Sequence, residues 1–301
     1  MSHPAVRIPA ILNVSSGTAD EARTALGGHE GFDVHEVEAD ALASTVRALV
    51  GDGARRVLVA GGDGTIATAA ATLLETKAEL AVLPGGTLNH FARDLGISTD
   101  AAEAIALAVS GSTRGVDVGM VNGRIFLNTS SVGAYVRFVR VRESLEHLFG
   151  YRLASFIAAV RILFTLRRMG VEVVVDGQKR IYRTPLVFVG VGEREMQLPS
   201  LGQRIPNGRR GLHVMVVRGR SSARTLALGL AAVARGVSTV SRTPVFESFL
   251  VDELRIDMRG MGTVAVDGEI AHMTAPLRFV LKRDALDVVC PPPTAVTDAS
   301  G

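Results

Sequence analysis

Two apolar runs that each end abruptly in glycines place the tightest constraint on this chain. Residues 57–65 read VLVAGGDGT and residues 80–97 read LAVLPGGTLNHFARDLGI, and a helix-like segment follows each glycine cluster. The pattern predicts a strand, a tight turn and a helix N-terminus, twice. Such turns let backbone N–H groups converge at the positive end of a helix dipole, which favours phosphate. Glycines are expected there because the backbone takes φ > 0 and approaches the ligand closely. The sequence therefore predicts a nucleotide phosphate site.

The first part of the chain alternates strand and helix patterns. This alternation predicts a parallel sheet covered by helices on both faces, in which ligands bind at the carboxyl ends of the strands. A third loop, NVSSGT at residues 13–18, follows the first strand, so three loops rich in Gly and Ser converge at one edge. We predict a nucleotide-binding, Rossmann-like α/β domain over residues 1–120. The predicted strands are 7–14, 32–37, 56–60 and 80–83, and the predicted helices are 20–26, 40–50, the segment after GGDGT, and 99–110.

The second part of the chain consists mainly of short β-rich runs. Turn signals join many of them, such as Asn122-Gly123 and Asp176-Gly177. We predict an antiparallel β-sandwich domain over residues 121–290, with helices inserted at 143–169 and 222–238, and a disordered tail over 291–301. The predicted strands are 116–121, 125–129, 171–175, 186–191, 212–218, 245–251, 254–258, 263–266 and 277–281.

Composition narrows the classes of function. The 33 basic and 30 acidic residues leave a formal net charge of +3, which argues against a nucleic-acid partner. The single cysteine, Cys290, allows no internal disulfide and fits a reducing compartment. The amino end does not resemble a signal peptide, and the longest apolar segment, residues 155–166, is too short to span a bilayer. We expect a cytoplasmic protein, with any membrane contact peripheral, at the inner membrane surface.

Carboxylates mark the candidate chemistry. Asp63, inside a phosphate-binding turn, would repel a nucleotide unless it held Mg²⁺ or accepted a proton from an attacking hydroxyl. The alternative is that Asp63 caps the next helix. In the second turn, Thr87 offers a hydroxyl to phosphate, and Asn89 is a helix cap or a ribose contact. Near the other end, Asp267 and Glu269 flank a glycine in VDGE, a pattern that an ordinary hairpin turn also explains.

Taken in order, five segments carry a family resemblance: NVSSG, GGDGT, PGGTLNHFARDLGI, VDVGMVNGRIFLNTSSVG and VDGE. Together they resemble the catalytic-domain family of diacylglycerol kinases, which includes sphingosine, ceramide and bacterial lipid kinases, with NAD kinases as more distant relatives. The resemblance implies ATP-dependent transfer of the γ-phosphoryl group to a hydroxyl of a lipid such as diacylglycerol or a sphingoid base, with Mg²⁺, in phospholipid biosynthesis. It also implies an NAD-kinase-like α/β domain, a C-terminal β-sandwich, and the nucleotide in the cleft between them.

By position, the resemblance assigns residues to the metal, the chemistry and the nucleotide. Asp63 and Asp117 would lie at the Mg²⁺. Glu269 is the expected proton acceptor, beside Asp267 on the same turn and with Asp63 as its rival. The expected nucleotide-binding residues are Asn13, Ser16, Gly17, Gly61, Gly62, Gly64, Thr65, Gly85, Gly86, Thr87 and Asn89.

The chain departs from the family pattern in three places. Residues 89–91 are Asn-His-Phe where relatives commonly have Asn-Asp-Phe, so His90 replaces a carboxylate. Residues 210–212 are Arg-Gly-Leu where bacterial relatives often have Asp-Gly-Leu, whose Asp binds a structural Mg²⁺. Since an arginine has no acceptor atom, Arg210 predicts that this metal site is absent. Third, Glu36 and its neighbours stand where relatives often have Thr, which predicts the loss of one nucleotide contact.

Alternative interpretations remain for the segments that could contact lipid and for the class of function. Residues 135–169 and 224–242 mix apolar residues with arginines, which suits an anionic membrane surface but equally suits helices packed on the sandwich with solvated arginines. A membrane lipid acceptor is the expected partner, and the sequence leaves a homodimer open. Two other functions are alternatives to a lipid kinase. One is a kinase of the same fold with a soluble acceptor such as NAD, and the other is a nucleotide- or lipid-binding protein without catalysis.

Overall fold

The computed structural model describes residues 7–74, 76–133, 136, 140–141, 144–145, 157–158, 169–175, 177–195, 202–217, 246–258 and 261–292. By its contacts the chain forms two compact units, residues 1–116 with 283–301, and residues 117–282. The predicted domain limits at residues 120 and 290 stay predictions; the structure adds that the chain returns to the first unit at Arg283. The predicted inserted helices and the predicted tail lie almost entirely outside the described residues.

Strands and helices alternate in the first unit, as predicted. The extra helix α4 is the short one that follows the second glycine turn. The elements are β1 (Ile8–Asn13), α1 (Ala19–Gly27), β2 (Phe32–Val37), α2 (Leu42–Gly51), β3 (Arg56–Gly61), α3 (Asp63–Leu73), β4 (Glu79–Pro84), α4 (His90–Asp94) and α5 (Ala101–Ser110).

The strands of this unit form a parallel sheet in the order β2-β1-β3-β4. Strands β3 and β4 are buried along almost their whole length, which is why their sequences are continuous apolar runs rather than alternating ones. Strand β2 lies at the edge and buries only Phe32, and its other residues are largely polar or charged. The predicted α/β architecture is confirmed.

Helices α1 and α5 pack on this sheet through small and branched apolar residues. Leu26 of α1 and Ile105 of α5 share a buried cluster with Leu12, Leu58 and Leu83 of the three inner strands. Burying a leucine or isoleucine side chain stabilises the fold by about 1.5–3 kcal/mol. The packing of these helices therefore fixes the carboxyl ends of the inner strands, and with them the starting points of the loops that follow.

The second unit is mainly β, and most of its predicted strands are confirmed. Strands β5 and β16 each contain residues of both units. The strands are β5 (Ser112–Val121), β6 (Arg124–Phe126), β7 (Thr129–Gly133), β8 (Met169–Val175), β9 (Gln178–Thr184), β10 (Leu186–Val191), β11 (Leu212–Val217), β12 (Phe246–Val251), β13 (Glu253–Asp257), β14 (Met261–Val266), β15 (Glu269–Thr274) and β16 (Leu277–Cys290).

Two antiparallel layers share one core in this unit, which confirms the predicted sandwich. One layer has the order β12-β11-β10-β7-β14-β15, and the other runs from β16 through β13 and β8 to β9. Their inward residues form a single apolar cluster, with Val189 and Val214 from the first layer and Val173, Ile256 and Phe279 from the second. The cluster takes every second residue of the central strands β10 and β11, as sandwich packing requires.

Some strand predictions were wrong for identifiable reasons. The run 125–129 is two strands, because the N–H groups of Leu127 and Asn128 bond to the Asp267 side chain instead of a neighbouring strand. Strand β9 was missed because it is largely polar, and β15 was missed because polar residues interrupt its apolar ones, so that neither strand contains a long apolar run. The last strand continues to Cys290 rather than ending at residue 281.

Candidate active site

Three loops meet at the carboxyl ends of β1, β3 and β4. The Gly85 N–H donates to the Gly61 carbonyl at 2.8 Å, so the two glycine turns are joined by their backbones. From the loop after β1, the Ser16 and Thr18 hydroxyls both donate to the Gly85 carbonyl, at 3.1 and 2.7 Å. The predicted convergence of the three loops is therefore present in the fold, and Thr18 belongs to it although sequence reasoning did not select it.

The glycines of these turns are required by close packing. A Cβ on Gly86 would lie 2.8 Å from the Gly62 Cα, and one on Gly61 would lie 2.6 Å from the Thr65 Cγ2. A Cβ on Gly85 would lie 2.5 Å from the Thr18 Oγ1. The expectation of φ > 0 was wrong at these positions, because none of them has a positive φ. Close packing against the Gly62 backbone and the Thr65 and Thr18 side chains, rather than a left-handed conformation, explains the glycines.

Asn13 links the first loop to helix α3. Its buried amide donates to the Thr65 Oγ1 at 2.8 Å, and its Oδ1 accepts the Ser15 N–H at 3.0 Å. Both Asn13 and Thr65 were predicted as nucleotide-binding residues, and the structure places them side by side. Together they hold the end of β1 against the first turn of α3.

Asp63 is the first residue of α3 and is half-buried. Helix α3 begins after Gly62, which has no side chain to accept the first N–H groups of the helix. The Asp63 Oδ1 accepts the Phe91 N–H of α4 at 3.3 Å. Its carboxylate therefore bridges two helix starts, where the partial positive charge of each helix stabilises an anion. The same place suits phosphate oxygens, which the N–H groups can bind.

Asn89 closes the second glycine turn. Its Oδ1 accepts the Gly86 N–H at 2.8 Å, and its Nδ2 donates to the Gly86 carbonyl at 2.7 Å. Asn89 occupies the N-cap position of α4 with φ of 49°, but its side chain makes no capping bond to the helix. The helix-cap alternative was therefore wrong about the side chain, which instead fixes the turn. Thr87 and His90 on either side are exposed.

The structure thus gathers most of the predicted nucleotide-binding residues on one edge of the first unit. Gly17 is exposed in the loop after β1, and Gly64 is exposed in the first turn of α3. At the end of β2, Glu36 pairs with Arg23 at 2.7 Å, and this pairing lowers the pKa of Glu36. Asp117, Asp267 and Glu269 belong to the second unit and are described there.

Asp267 anchors a hairpin turn through three backbone donors. Its Oδ2 accepts the Leu127 N–H at 2.7 Å, and its Oδ1 accepts the Asn128 and Thr129 N–H groups, both at 2.9 Å. Asp267 and Gly268 both have positive φ, 47° and 89°, as a two-residue turn between β14 and β15 requires. The Asp267 carboxylate is thus occupied by backbone N–H groups and fixes the turn.

Glu269 leaves the same turn in a different environment. Its side chain is 60% exposed, and its Oε2 accepts a hydrogen bond from Arg124 at 2.6 Å. The two carboxylates of VDGE, which the sequence could not separate in role, are therefore unlike: one is held by backbone and the other is paired on the surface.

Asp117 lies in β5, and its side chain is 3% exposed. The Arg210 Nε donates to the Asp117 Oδ2 at 2.8 Å, while the Arg210 Nη2 bonds to Oδ1. Both carboxylate oxygens therefore face a guanidinium. This donor set does not fit a divalent cation at Asp117, whereas the half-buried carboxylate of Asp63, at the start of α3, is a ligand of the type that Mg²⁺ prefers. Within the described residues, no group of three or more His, Cys, Asp or Glu side chains could hold a metal by itself.

Arg194 is a buried structural residue that the sequence did not indicate. Its side chain is buried, and it donates to the backbone carbonyls of Asn128, Val191 and Gly202 at 2.8–3.2 Å. The Asn128 N–H is one of the donors to Asp267, so Arg194 supports the segment that holds the hairpin turn. Nothing in the local sequence distinguishes this arginine from a solvated one.

Two titrating groups lie beside Arg194. Burial lowers the pKa of His213, whose Nδ1 accepts the Arg194 backbone N–H at 2.9 Å. Hydrogen bonds from Arg209 lower the pKa of Glu193 to about 2. The first shift favours the neutral imidazole, which is the form that can accept a hydrogen bond at Nδ1.

Residues 8–121 match the family model described as the diacylglycerol kinase catalytic domain. The chain is 36% identical over 126 residues to a diacylglycerol kinase of Bacillus subtilis, which covers 40% of this chain and 41% of that protein. It is 29% identical over 192 residues to a diacylglycerol kinase of Mycobacterium tuberculosis, which covers 60% of this chain and 62% of that protein. The alignments thus span less than two thirds of either relative.

A third relative and a solved structure extend the comparison. A probable YegS-like lipid kinase of Pseudomonas savastanoi is 40% identical over 127 residues, covering 40% of this chain and 41% of that protein. A crystal structure of a putative diacylglycerol kinase from Bacillus anthracis superposes with a TM-score of 0.73 at 22% identity, covering 97% of this chain and 99% of the other. The resemblance to the diacylglycerol kinase catalytic-domain family is confirmed over residues 8–121, and the described residues have the fold of the solved structure.

Proposed function

We propose that this chain is an ATP-dependent lipid kinase, which transfers the γ-phosphoryl group of ATP to a hydroxyl of a lipid such as diacylglycerol or a sphingoid base. One observation carries the proposal: Asp63 stands at the start of α3, where two glycine turns contact each other through Gly62 and Gly86. The match of residues 8–121 to a diacylglycerol kinase catalytic domain supports the choice of acceptor class.

The glycine turns are proposed to bind the phosphates of ATP. Backbone N–H groups in the first turn of α3 have no acceptor within the helix and lie beside the Gly85–Gly86 backbone, which approaches closely because no Cβ intervenes. Asn13 and Thr65 fix this surface from one side, and Asn89 fixes it from the other. A rigid set of N–H donors stabilises the charge of a transferring phosphoryl group without reorganising.

Asp63 is proposed to hold Mg²⁺ together with phosphate oxygens. When bound there, Mg²⁺ would neutralise charge on the phosphates and orient the γ-phosphoryl group. The Phe91 N–H positions the Asp63 carboxylate for this role, because the hydrogen bond to Oδ1 also sets the orientation of Oδ2.

The acceptor hydroxyl must lose its proton as its oxygen bonds to the γ-phosphorus and the bond from phosphorus to the β,γ-bridging oxygen breaks, releasing ADP. Of the two carboxylates on the VDGE turn, Asp267 is occupied by three backbone N–H groups, while Glu269 is exposed. We therefore propose Glu269 as the proton acceptor and keep Asp63 as its rival. A Glu269→Gln variant whose pH–rate profile matched that of the wild type would favour Asp63.

A lipid substrate places the proposed reaction at a membrane surface. No helix among the described residues is long and apolar enough to cross a membrane. We propose peripheral contact with the inner membrane surface from the cytoplasmic side, where ATP and lipid are both present. The arginine-rich segments 135–169 and 224–242, which suit such contact, lie largely outside the described residues. A homodimer would be compatible with this arrangement.

The experiment that tests the proposal offers the purified protein several acceptors. Labelled ATP and Mg²⁺ are mixed with diacylglycerol, sphingosine or ceramide in mixed micelles, and in a separate reaction with NAD and no detergent. Label in the organic phase establishes a lipid kinase and names the lipid. Label on NAD alone supports a kinase with a soluble acceptor, and ATP binding without transfer to any acceptor supports a non-catalytic binding protein.

A further inference from the structure

Asp117 is a buried carboxylate whose negative charge must be compensated within the fold. Its carboxylate lies in β5 with only 3% of the side chain exposed. An ionised carboxylate at that depth is strongly destabilising unless an opposite charge and hydrogen-bond donors compensate for the lost water. A divalent cation or a protein cation could each supply that compensation.

Arg210 supplies the compensating positive charge, and it does so through two hydrogen bonds from one guanidinium. Its Nε and Nη2 each bond to a different oxygen of Asp117, the planar two-point arrangement for which a guanidinium is suited. The pair joins residues 93 positions apart within the second unit. Both charges are thereby neutralised inside the chain.

The backbone around Arg210 is fixed on both sides. The Glu193 N–H donates to the Arg209 carbonyl at 3.0 Å, and the Gly192 N–H donates to the Gly211 carbonyl at 2.8 Å. Gly211 has φ of 151°, a conformation that L side chains rarely adopt, and the buried strand β11 begins at the next residue. Arg210 is therefore presented to Asp117 by a defined bend rather than by a flexible loop.

We infer that Arg210 is a built-in cation which replaces a structural divalent metal opposite Asp117. The family resemblance implies a carboxylate at position 210, and a short aspartate there would face Asp117 across a gap, leaving two negative charges for a metal to bridge. The arginine side chain is longer and positively charged, so it fills the gap and balances Asp117 without a bound ion. The second unit thus owes its stability at this point to a covalently attached charge rather than to a bound ion. This inference does not depend on the proposed function.

The test is thermal unfolding without nucleotide, in EDTA and in millimolar Mg²⁺. The proteins are the wild type, Arg210→Gln, Arg210→Asp, Asp117→Asn, and Arg209→Gln as a matched control, because Arg209 is the adjacent arginine and forms an exposed ion pair with Glu193. In EDTA, Arg210→Gln should lower the Tm by roughly 5–10 °C more than Arg209→Gln does, since it removes the guanidinium that balances the charge of a buried carboxylate. Wild type and Asp117→Asn should respond equally to Mg²⁺.

The Arg210→Asp variant tests the replacement directly. It should be less stable than wild type in EDTA and recover most of the lost Tm in Mg²⁺, because the two carboxylates then form the metal site that the arginine replaces. Folding only in the presence of Mg²⁺ would equally support the inference. Three results would overturn it: a Mg²⁺-dependent Tm rise in wild type that Asp117→Asn abolishes, an Arg210→Gln variant as stable as Arg209→Gln, or an Arg210→Asp variant no more responsive to Mg²⁺ than wild type.

Discussion

Replacing each carboxylate of the VDGE turn by its amide should change the free energy of unfolding by very different amounts for Asp267 and Glu269. In Asp267→Asn, one side-chain oxygen can still accept the Asn128 and Thr129 N–H groups, but an NH₂ group then faces the Leu127 N–H. One buried donor loses its acceptor, and the remaining bonds lose the help of the negative charge. We expect a loss of about 2–3 kcal/mol in the free energy of unfolding.

Asp267→Ala should cost more than Asp267→Asn. All three N–H groups lose their acceptor, and alanine must adopt the φ of 47° that asparagine tolerates. Three partly buried donors at about 1 kcal/mol each, with about 1 kcal/mol for the left-handed conformation, give a loss near 4 kcal/mol. Glu269→Gln removes only a surface ion pair with Arg124 and should cost less than about 1 kcal/mol.

The assay is urea unfolding of the wild type and the three variants, followed by circular dichroism. Equal slopes with shifted midpoints would show that only stability has changed. The predicted order of stability is wild type, then Glu269→Gln, then Asp267→Asn, then Asp267→Ala. If Asp267→Asn were as stable as Glu269→Gln, Asp267 would not be the anchor of the turn.

Three further substitutions test other contacts. Gly86→Ala should lose about 1–3 kcal/mol of stability, because its Cβ would lie 2.8 Å from the Gly62 Cα. Gly31→Ala should lose little, because a Cβ there meets no atom within 4 Å. Equal urea midpoints for the two variants would contradict the packing argument. Arg194→Gln should cost about 3 kcal/mol in the same assay, since buried carbonyls lose their donors, and a loss below 1 kcal/mol would contradict this. Because burial lowers the pKa of His213, the unfolded chain is protonated first as pH falls; wild-type stability should therefore decline from about pH 6.5 downward, and His213→Gln should decline less over that range.

The parallel strands and glycine turns of the first unit could be predicted because their signals are local. Strands β3 and β4 are buried on both faces, so they appear as unbroken apolar runs, and each ends in glycines that the close contact of Gly62 with Gly86 requires. The reason assigned to those glycines was partly wrong, since sequence alone does not distinguish a positive φ from a close backbone contact.

The partners of the charged residues could not be predicted, because they lie far apart in sequence. Asp267 bonds to backbone 138 to 140 positions away, and Arg210 reaches Asp117 across 93 positions. Residue type indicated that these carboxylates mattered, but only the fold shows that one anchors a turn and the other is neutralised by an arginine. Arg194 gave no signal at all, since its role depends on backbone carbonyls that the fold brings to it.

The most direct test of the central claim compares the wild type with Asp63→Asn and with Asp52→Asn, which removes an exposed carboxylate in the same unit. Each protein is incubated with labelled ATP, Mg²⁺ and diacylglycerol micelles, and the initial rate of label transfer to lipid is measured together with the Tm. We predict transfer by the wild type and Asp52→Asn, and a loss of at least about 100-fold in Asp63→Asn with little change in Tm. Near wild-type transfer by Asp63→Asn would contradict the role assigned to the glycine turns and their carboxylate.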